Sequence, residues 1–212
     1  MRAVVLTGGV PGVFIRHADV GGIAKSARAL LAGDIAVSDF ANNPFLDLVD
    51  LIEQSEVPVI AAINGVCMGG GLEVALACTV RIAGRDVPSI GLPEVRLDII
   101  PGAGGMTRLA QVIGTHRARL HVLRGTVFDA AQAEAEGIVD ELAEDAVAAA
   151  LDLAQTLAGR NHVPIAMILR SFRDRYSSRE GGPAFGAVVM EVGVLDRLDK
   201  FLGENERLDQ IN

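Results

Sequence analysis

The chain has 212 residues, half of them hydrophobic and 22% charged, with 24 glycines and eight prolines. That composition excludes disordered, collagenous and low-complexity classes and supports one domain, or a domain with an appendage, around a sizeable core. Nineteen basic against 27 acidic residues leave a net charge of −8, so no global field draws nucleic acid or an anionic membrane, and no apolar run reaches the roughly 18 residues of a membrane span.

In chain order, Ala3 to Leu6 reads as a short strand buried on both faces, closed by Gly8-Gly9-Val10-Pro11-Gly12. Residues 20 to 42 carry small and apolar positions without firm periodicity and read as a loop with a helical piece. Asn43-Pro44 is an N-cap and first-turn signal, after which Phe45, Leu48, Val49 and Ile52 recur at helical spacing until Pro58. Val57 to Ile63 is a second strand, ending at Asn64-Gly65. Gly69-Gly70-Gly71 then opens a short buried helix from Leu72 to Cys78, and Val80 to Ala83 is a third strand.

Beyond Pro101-Gly102-Ala103-Gly104-Gly105 a helix is marked by Met106, Leu109, Ala110 and Ile113, with Gly114 as its stop. From there the pattern predicts helices alone. One is capped by Asp129, an alanine-rich one runs from Glu144 to Ala158, one covers Ile165 to Phe172, and a long last helix is marked by Phe185, Val188, Val192, Leu195 and Leu198. The expected organisation is α/β, with a core over residues 1–135 and a helical assembly region over 136–212. Cys67 and Cys78 share an apolar stretch without C-x-x-C spacing and read as buried thiols in a reducing cytoplasm. The first residues run into glycines too soon for a signal-peptide core, so the expected location is cytoplasmic.

Chemistry concentrates where Val57–Ile63 gives way to Gly69-Gly70-Gly71-Leu72-Glu73. The first N–H groups of a helix lack internal partners and sit at its positive end, and glycine lets a negative oxygen come close. Gly70 is therefore a candidate oxyanion donor, although three glycines equally serve tight strand-to-helix packing. Glu73 is either an acidic residue facing solvent at a helix start or a partly desolvated carboxylate among Leu72, Val74, Ala75 and Leu76. Glu94 follows 21 positions later, just after Pro93, where the chain can return to the same edge. Two carboxylates flanking one site can hold a water and divide base and acid duties. No phosphate-binding loop, dinucleotide fingerprint or G-x-S-x-G elbow is present, and His17, His116, His121 and His162 are scattered without ligand spacing, so no metal site is expected.

Taken together, several segments resemble the crotonase superfamily, whose best-known members are enoyl-CoA hydratases and isomerases. They are Val4-Val5-Leu6-Thr7-Gly8, Phe14 with Ala18-Asp19, Pro58 to Gly65, Gly69-Gly70-Gly71-x-Glu73, Pro93-Glu94 and Pro101-Gly102-Ala103-Gly104-Gly105-x-x-Arg108-Leu109. The resemblance spans residues 2 to about 140. It implies a spiral of β-β-α turns with C-terminal helices that build a homotrimer or a dimer of trimers, and an acyl-CoA thioester as substrate, with no other cofactor. It also implies that the N–H groups of Ala18 and Gly70 hold the thioester oxygen while Glu73 and Glu94 face the α and β carbons, with Arg16, His17 and Gly69 in contact with the substrate. Keeping both glutamates favours a hydratase; an isomerase and a non-catalytic acyl-CoA-binding subunit are the alternatives. The chain departs from the pattern in three ways. His17 stands where glycine is usual, the customary strand pair and helix before Val4 are missing, and Glu180 to Asn212 lacks the usual basic, proline-containing ending.

Overall fold

β3 (Val59–Ile63) is buried at every residue and forms the axis of the molecule. Its side chains alternate between two interiors, as the period of a strand requires. Ile60 and Ala62 pack with Ile82 against Ala146 and Ala150 of α7 (Ala146–Ala158), whereas Ala61 and Ile63 join Cys67, Leu72, Ala75 and Ile90 in the larger core. A computed structural model describes residues 1–40, 44–174, 178–194 and 196–198.

Within it, β3 lies between β1 (Val4–Thr7) and β5 (Val80–Gly84), and β8 (Glu141–Ala143) extends the sheet beyond β5, all in parallel. A second sheet has the order β2 (Gly12–Ile15), β4 (Gly65–Met68), β6 (Ile90–Gly91), β7 (Val127–Phe128), parallel except for the last pair. Parallel neighbours need crossovers, and each crossover here first lays a strand in the second sheet and then adds helix. β2 precedes α1 (Val20–Ala32) and α2 (Pro44–Glu53); β4 precedes α3 (Gly70–Ala77); β6 precedes α4 (Gly105–Ile113) and α5 (Thr115–Arg124). This is the β-β-α spiral that the resemblance implies. α6 (Ala130–Ala135), α8 (His162–Asp174) and α9 (Ser178–Val189) are the remaining α-helices among the described residues.

Several expectations are corrected. The stretch read as a loop with a helical piece holds the 13-residue α1, capped by the Asp19 side chain and closed by Gly33. α1 buries no residue, so no apolar stripe announces it. β2 and β4 occupy segments where the sequence predicts no strand, each overlapping a turn signal only at its first glycine, and β7 and β8 interrupt a region expected to be helical throughout. Strands of two or three residues are too short to show a period. The last helix stops at Val189, Val192 falls in the turn that follows, and Gly193, at φ 81°, breaks the helical path between that turn and Leu198. Asn43 and Leu195 lie outside the described residues.

Candidate active site

α3 begins where β4 ends, and all eight of its residues are buried, Glu73 included. Glu73 is 3% exposed, so its carboxylate turns inward rather than to solvent. Its Oε1 accepts the Ala103 N–H at 2.7 Å and the Gly105 N–H at 2.9 Å. Gly105 is the first residue of α4, so one donor is a free N–H at the positive end of a helix. Charge-assisted bonds of this kind offset the cost of taking a carboxylate out of water.

Glu94 opens a 3-10 turn, Glu94–Leu97, immediately after Pro93. It is half-buried, and its Oε2 is sealed from solvent with no hydrogen-bond partner among the described residues. Burial pushes the Glu94 carboxyl above the ordinary carboxylate range; its own backbone N–H pulls it part of the way back, and the nearby Glu73 charge adds to the rise. One carboxylate thus takes two N–H bonds while its neighbour stands without a partner on one oxygen.

Gly69 makes this approach possible. At φ 55° it occupies a region that side-chain-bearing residues avoid, and a Cβ there would stand 3.3 Å from Glu94 Oε1 and 3.8 Å from the His17 Cβ. Its N–H donates to Gly91 O at 2.9 Å, tying α3 to β6. One residue on, a Cβ at Gly70 would meet Phe45 Cζ at 3.1 Å and the Ala18 nitrogen at 3.4 Å. Gly70 begins α3, and neither its N–H nor that of Ala18 donates to a backbone carbonyl among the described residues. The structure therefore brings Ala18, His17, Gly69, Gly70 and Glu94 to one place, with Glu73 close enough to act on Glu94.

Arg16 and His17 are exposed. His17 Nδ1 lies 2.7 Å from the Ala18 carbonyl and donates to it in the Nδ1–H tautomer, while Arg16 forms no ion pair among the described residues. Sequence reasoning gave no role to Phe45, Glu53 or Arg108. The last carried a signal: an arginine on the Leu109 side of an otherwise apolar helix face calls for a buried partner. That partner, Glu53 Oε2, lies 2.6 Å from Arg108 Nη2.

A β-β-α spiral whose strand-to-helix junction collects two carboxylates and two backbone N–H groups that donate to no backbone carbonyl among the described residues defines a crotonase-fold protein. The profile of the enoyl-CoA hydratase/isomerase family matches residues 1–186, and the chain belongs to that family. It is 39% identical over 148 residues to the alpha subunit of the fatty acid oxidation complex from Idiomarina loihiensis, covering 69% of this chain and 20% of that protein. It is 47% identical over 115 residues to an enoyl-CoA isomerase/hydratase from Mycosarcoma maydis, covering 53% of this chain and 41% of that one. Among solved structures, the enoyl-CoA hydratase from Bacillus anthracis superimposes with a TM-score of 0.81 at 28% identity, over 96% of this chain and 79% of its own. The chain spans between 20% and 53% of the length of the curated relatives it matches.

Proposed function

We propose that this protein is an enoyl-CoA hydratase, adding water across the double bond of an α,β-unsaturated acyl-CoA thioester. The observation that carries this reading is the unequal setting of the two glutamates: Glu73 accepts two N–H bonds, and Glu94 has a buried oxygen with no hydrogen-bond partner among the described residues and a raised affinity for its proton. Such a pair suits one base and one acid.

In the proposed reaction the thioester oxygen accepts the N–H groups of Ala18 and Gly70. Glu73 takes a proton from water as the water oxygen bonds to the β carbon. The electron pair of the double bond moves to the thioester oxygen as an enolate, and the α carbon then takes a proton from Glu94. A second water exchanges the proton between the two carboxylates and restores the starting state. Donors fixed in advance at a developing oxyanion are worth about 3 kcal/mol each when deleted singly. The scheme adds one water to the substrate and otherwise only relays protons, so coenzyme A enters as part of the substrate and the chemistry calls for no metal or redox cofactor.

Gly69, where a Cβ would stand 3.3 Å from Glu94 Oε1, is proposed to leave the substrate room beside that carboxylate, and the exposed Arg16 and His17 are proposed to meet the substrate at the rim. Assembly as a homotrimer or dimer of trimers is the accompanying proposal, supported by large apolar side chains left in water: Phe172 is 83% exposed, Phe185 71% and Met190 87%. The two free, buried cysteines suit a reducing compartment, and the cytoplasm is the proposed one. Among the described residues no helix is long and apolar enough to cross a membrane.

Loss of the conjugated absorbance of crotonyl-CoA on addition of protein tests the reading. Double-bond migration without hydration would make the protein an isomerase, and binding without turnover would make it a non-catalytic subunit.

A further inference from the structure

The segment that holds Glu73 is itself gripped from behind. Ala103 donates its N–H to Glu73 Oε1, and the carbonyl of the same residue accepts from Arg108 Nη1 at 2.5 Å. Arg108 lies in α4 and is 6% exposed. Its other arm reaches α2, where Nη2 donates to Glu53 Oε2 at 2.6 Å and stands 3.7 Å from Asp50 Oδ1. At φ 82°, Gly104 carries no side chain where a Cβ would lie 2.5 Å from Nη1, so the guanidinium can lie across the turn. A buried guanidinium is costly even when paired, and its Nε has no partner among the described residues. Packing alone would be served better by an apolar side chain of similar volume. The charge has a distinct effect: its planar fork ties one peptide and one helix together in a geometry that lysine cannot reproduce.

We propose that Arg108, with Glu53 as its counter-charge, is a positioning residue: it fixes the Ala103 peptide so that the Ala103 and Gly105 N–H groups stay aimed at Glu73 Oε1, leaving Oε2 for the substrate water. The role rests on the hydratase reading, since it concerns the carboxylate that activates water in that scheme. α2 thereby takes part in the site without touching substrate through Arg108, because Glu53 reaches Glu73 only by way of the guanidinium and the Ala103 peptide.

The experiment compares Arg108→Met, Arg108→Lys and Glu53→Gln in the full chain, reading kcat and KM for crotonyl-CoA hydration and amide hydrogen exchange at Ala103 and Gly105. Arg108→Met is expected to lower kcat about 10²-fold, the scale of a misplaced catalytic group, with KM changed less than about twofold. Arg108→Lys should recover about a tenth of the wild-type rate, since it keeps the charge but loses the fork. Exchange at Ala103 and Gly105 should quicken in both, while that of buried β3 amides holds. In a Glu73→Gln background, Arg108→Met should slow the reaction less than about threefold further, because the two act through one group.

A folded Arg108→Met protein with wild-type kcat overturns the inference, as does a slowing that is equally large in the Glu73→Gln background. If Arg108→Met fails to fold, Glu53→Gln decides: a drop in kcat of about threefold to tenfold at constant KM supports the role, and an unchanged kcat removes it. A wild-type protein that hydrates no enoyl-CoA, or a fully active Glu73→Gln variant, defeats the hydratase reading instead. In that event the exchange measurement still decides whether Arg108 holds the Ala103 peptide: quickened exchange at Ala103 in Arg108→Met supports it, and unchanged exchange rejects it.

Discussion

The nitrogen of Ala18 lies 3.4 Å from the point at which a side chain on Gly70 would begin, although 52 positions separate the two residues in the chain. One comes from the segment after β2 and the other from the first turn of α3, so the spiral itself makes the gap between their N–H groups. A Cβ on Gly70 would be crowded there, 3.1 Å from Phe45 Cζ and 3.4 Å from the Ala18 nitrogen. Gly70→Ala is predicted to lower kcat about tenfold to 10²-fold, because its Cβ meets Ala18 and Phe45. Stability should change by less than about 1 kcal/mol, since alanine is the better helix former and offsets part of the crowding. Steady-state kinetics and thermal unfolding of the same preparation check both halves.

Glu94 yields a prediction with a definite sign. Its carboxyl is held above the ordinary value of 4.5, by burial first and by the Glu73 charge as well, so the folded protein binds this proton more tightly than the unfolded chain does. The stabilising contribution of that proton is complete below pH 4.5 and is lost as pH rises through the folded-state value. Above the folded-state value the ionised, partly buried group is a burden. Glu94→Gln is therefore predicted to gain in melting temperature over wild type as pH rises from about 4 through that value, with the difference gone near pH 4. Paired melts across this range check it; equal melts at both ends would contradict the prediction.

Much of the molecule was legible in the amino-acid sequence, and what was not legible has physical causes. The Val57–Ile63 run announces β3 because burial on both faces demands an unbroken apolar stretch. α1 was hidden because Gly21 and Gly22 dilute its helical propensity and none of its residues is buried. β6 and β7 are two residues each, held by register with neighbours far away in the chain. At the site, the residue types and the Gly69-Gly70-Gly71 junction could be read directly. The direction in which Glu73 points could not, because its donors arrive from Ala103 and Gly105, 30 and 32 positions later. The grip of Arg108 on that segment was equally non-local, since its counter-charge lies 55 positions earlier.

The turn that carries Glu94 ends at Asp98, the one side-chain-bearing residue with positive φ among those described, at 56°. Asp98 N–H donates to Val95 O at 3.1 Å and Ile99 N–H to Glu94 O at 3.4 Å, so this residue closes the turn that Glu94 opens. Aspartate tolerates the left-handed region better than most residues, whereas a β-branched side chain does not. Asp98→Val is predicted to cost about 1–2 kcal/mol and to lower kcat along with stability. Asp98→Gly should keep activity and remain within about 1 kcal/mol of wild type. Denaturant titration of the two variants measures the difference.

Exposed apolar side chains on α8, α9 and the segment after them lead to a prediction of assembly. Val192 is 98% exposed and Phe172 83%, an arrangement that a lone chain does not sustain without cost. Light scattering is expected to give three or six times the chain mass. A mass near 22.2 kDa at micromolar concentration would contradict this.

The central claim is that Glu73 and Glu94 act as one unit on one water, and hydration of crotonyl-CoA in deuterium oxide by the single and double glutamine variants tests it most directly. Each single variant is predicted to lower kcat by about 10²–10⁴, with acyl-CoA binding little changed. The double variant should be hardly slower than the worse single, because groups that act together fail together. The wild-type product should carry solvent deuterium at the α carbon. Wild-type turnover in either single variant, or losses that multiply in the double variant, would contradict the account.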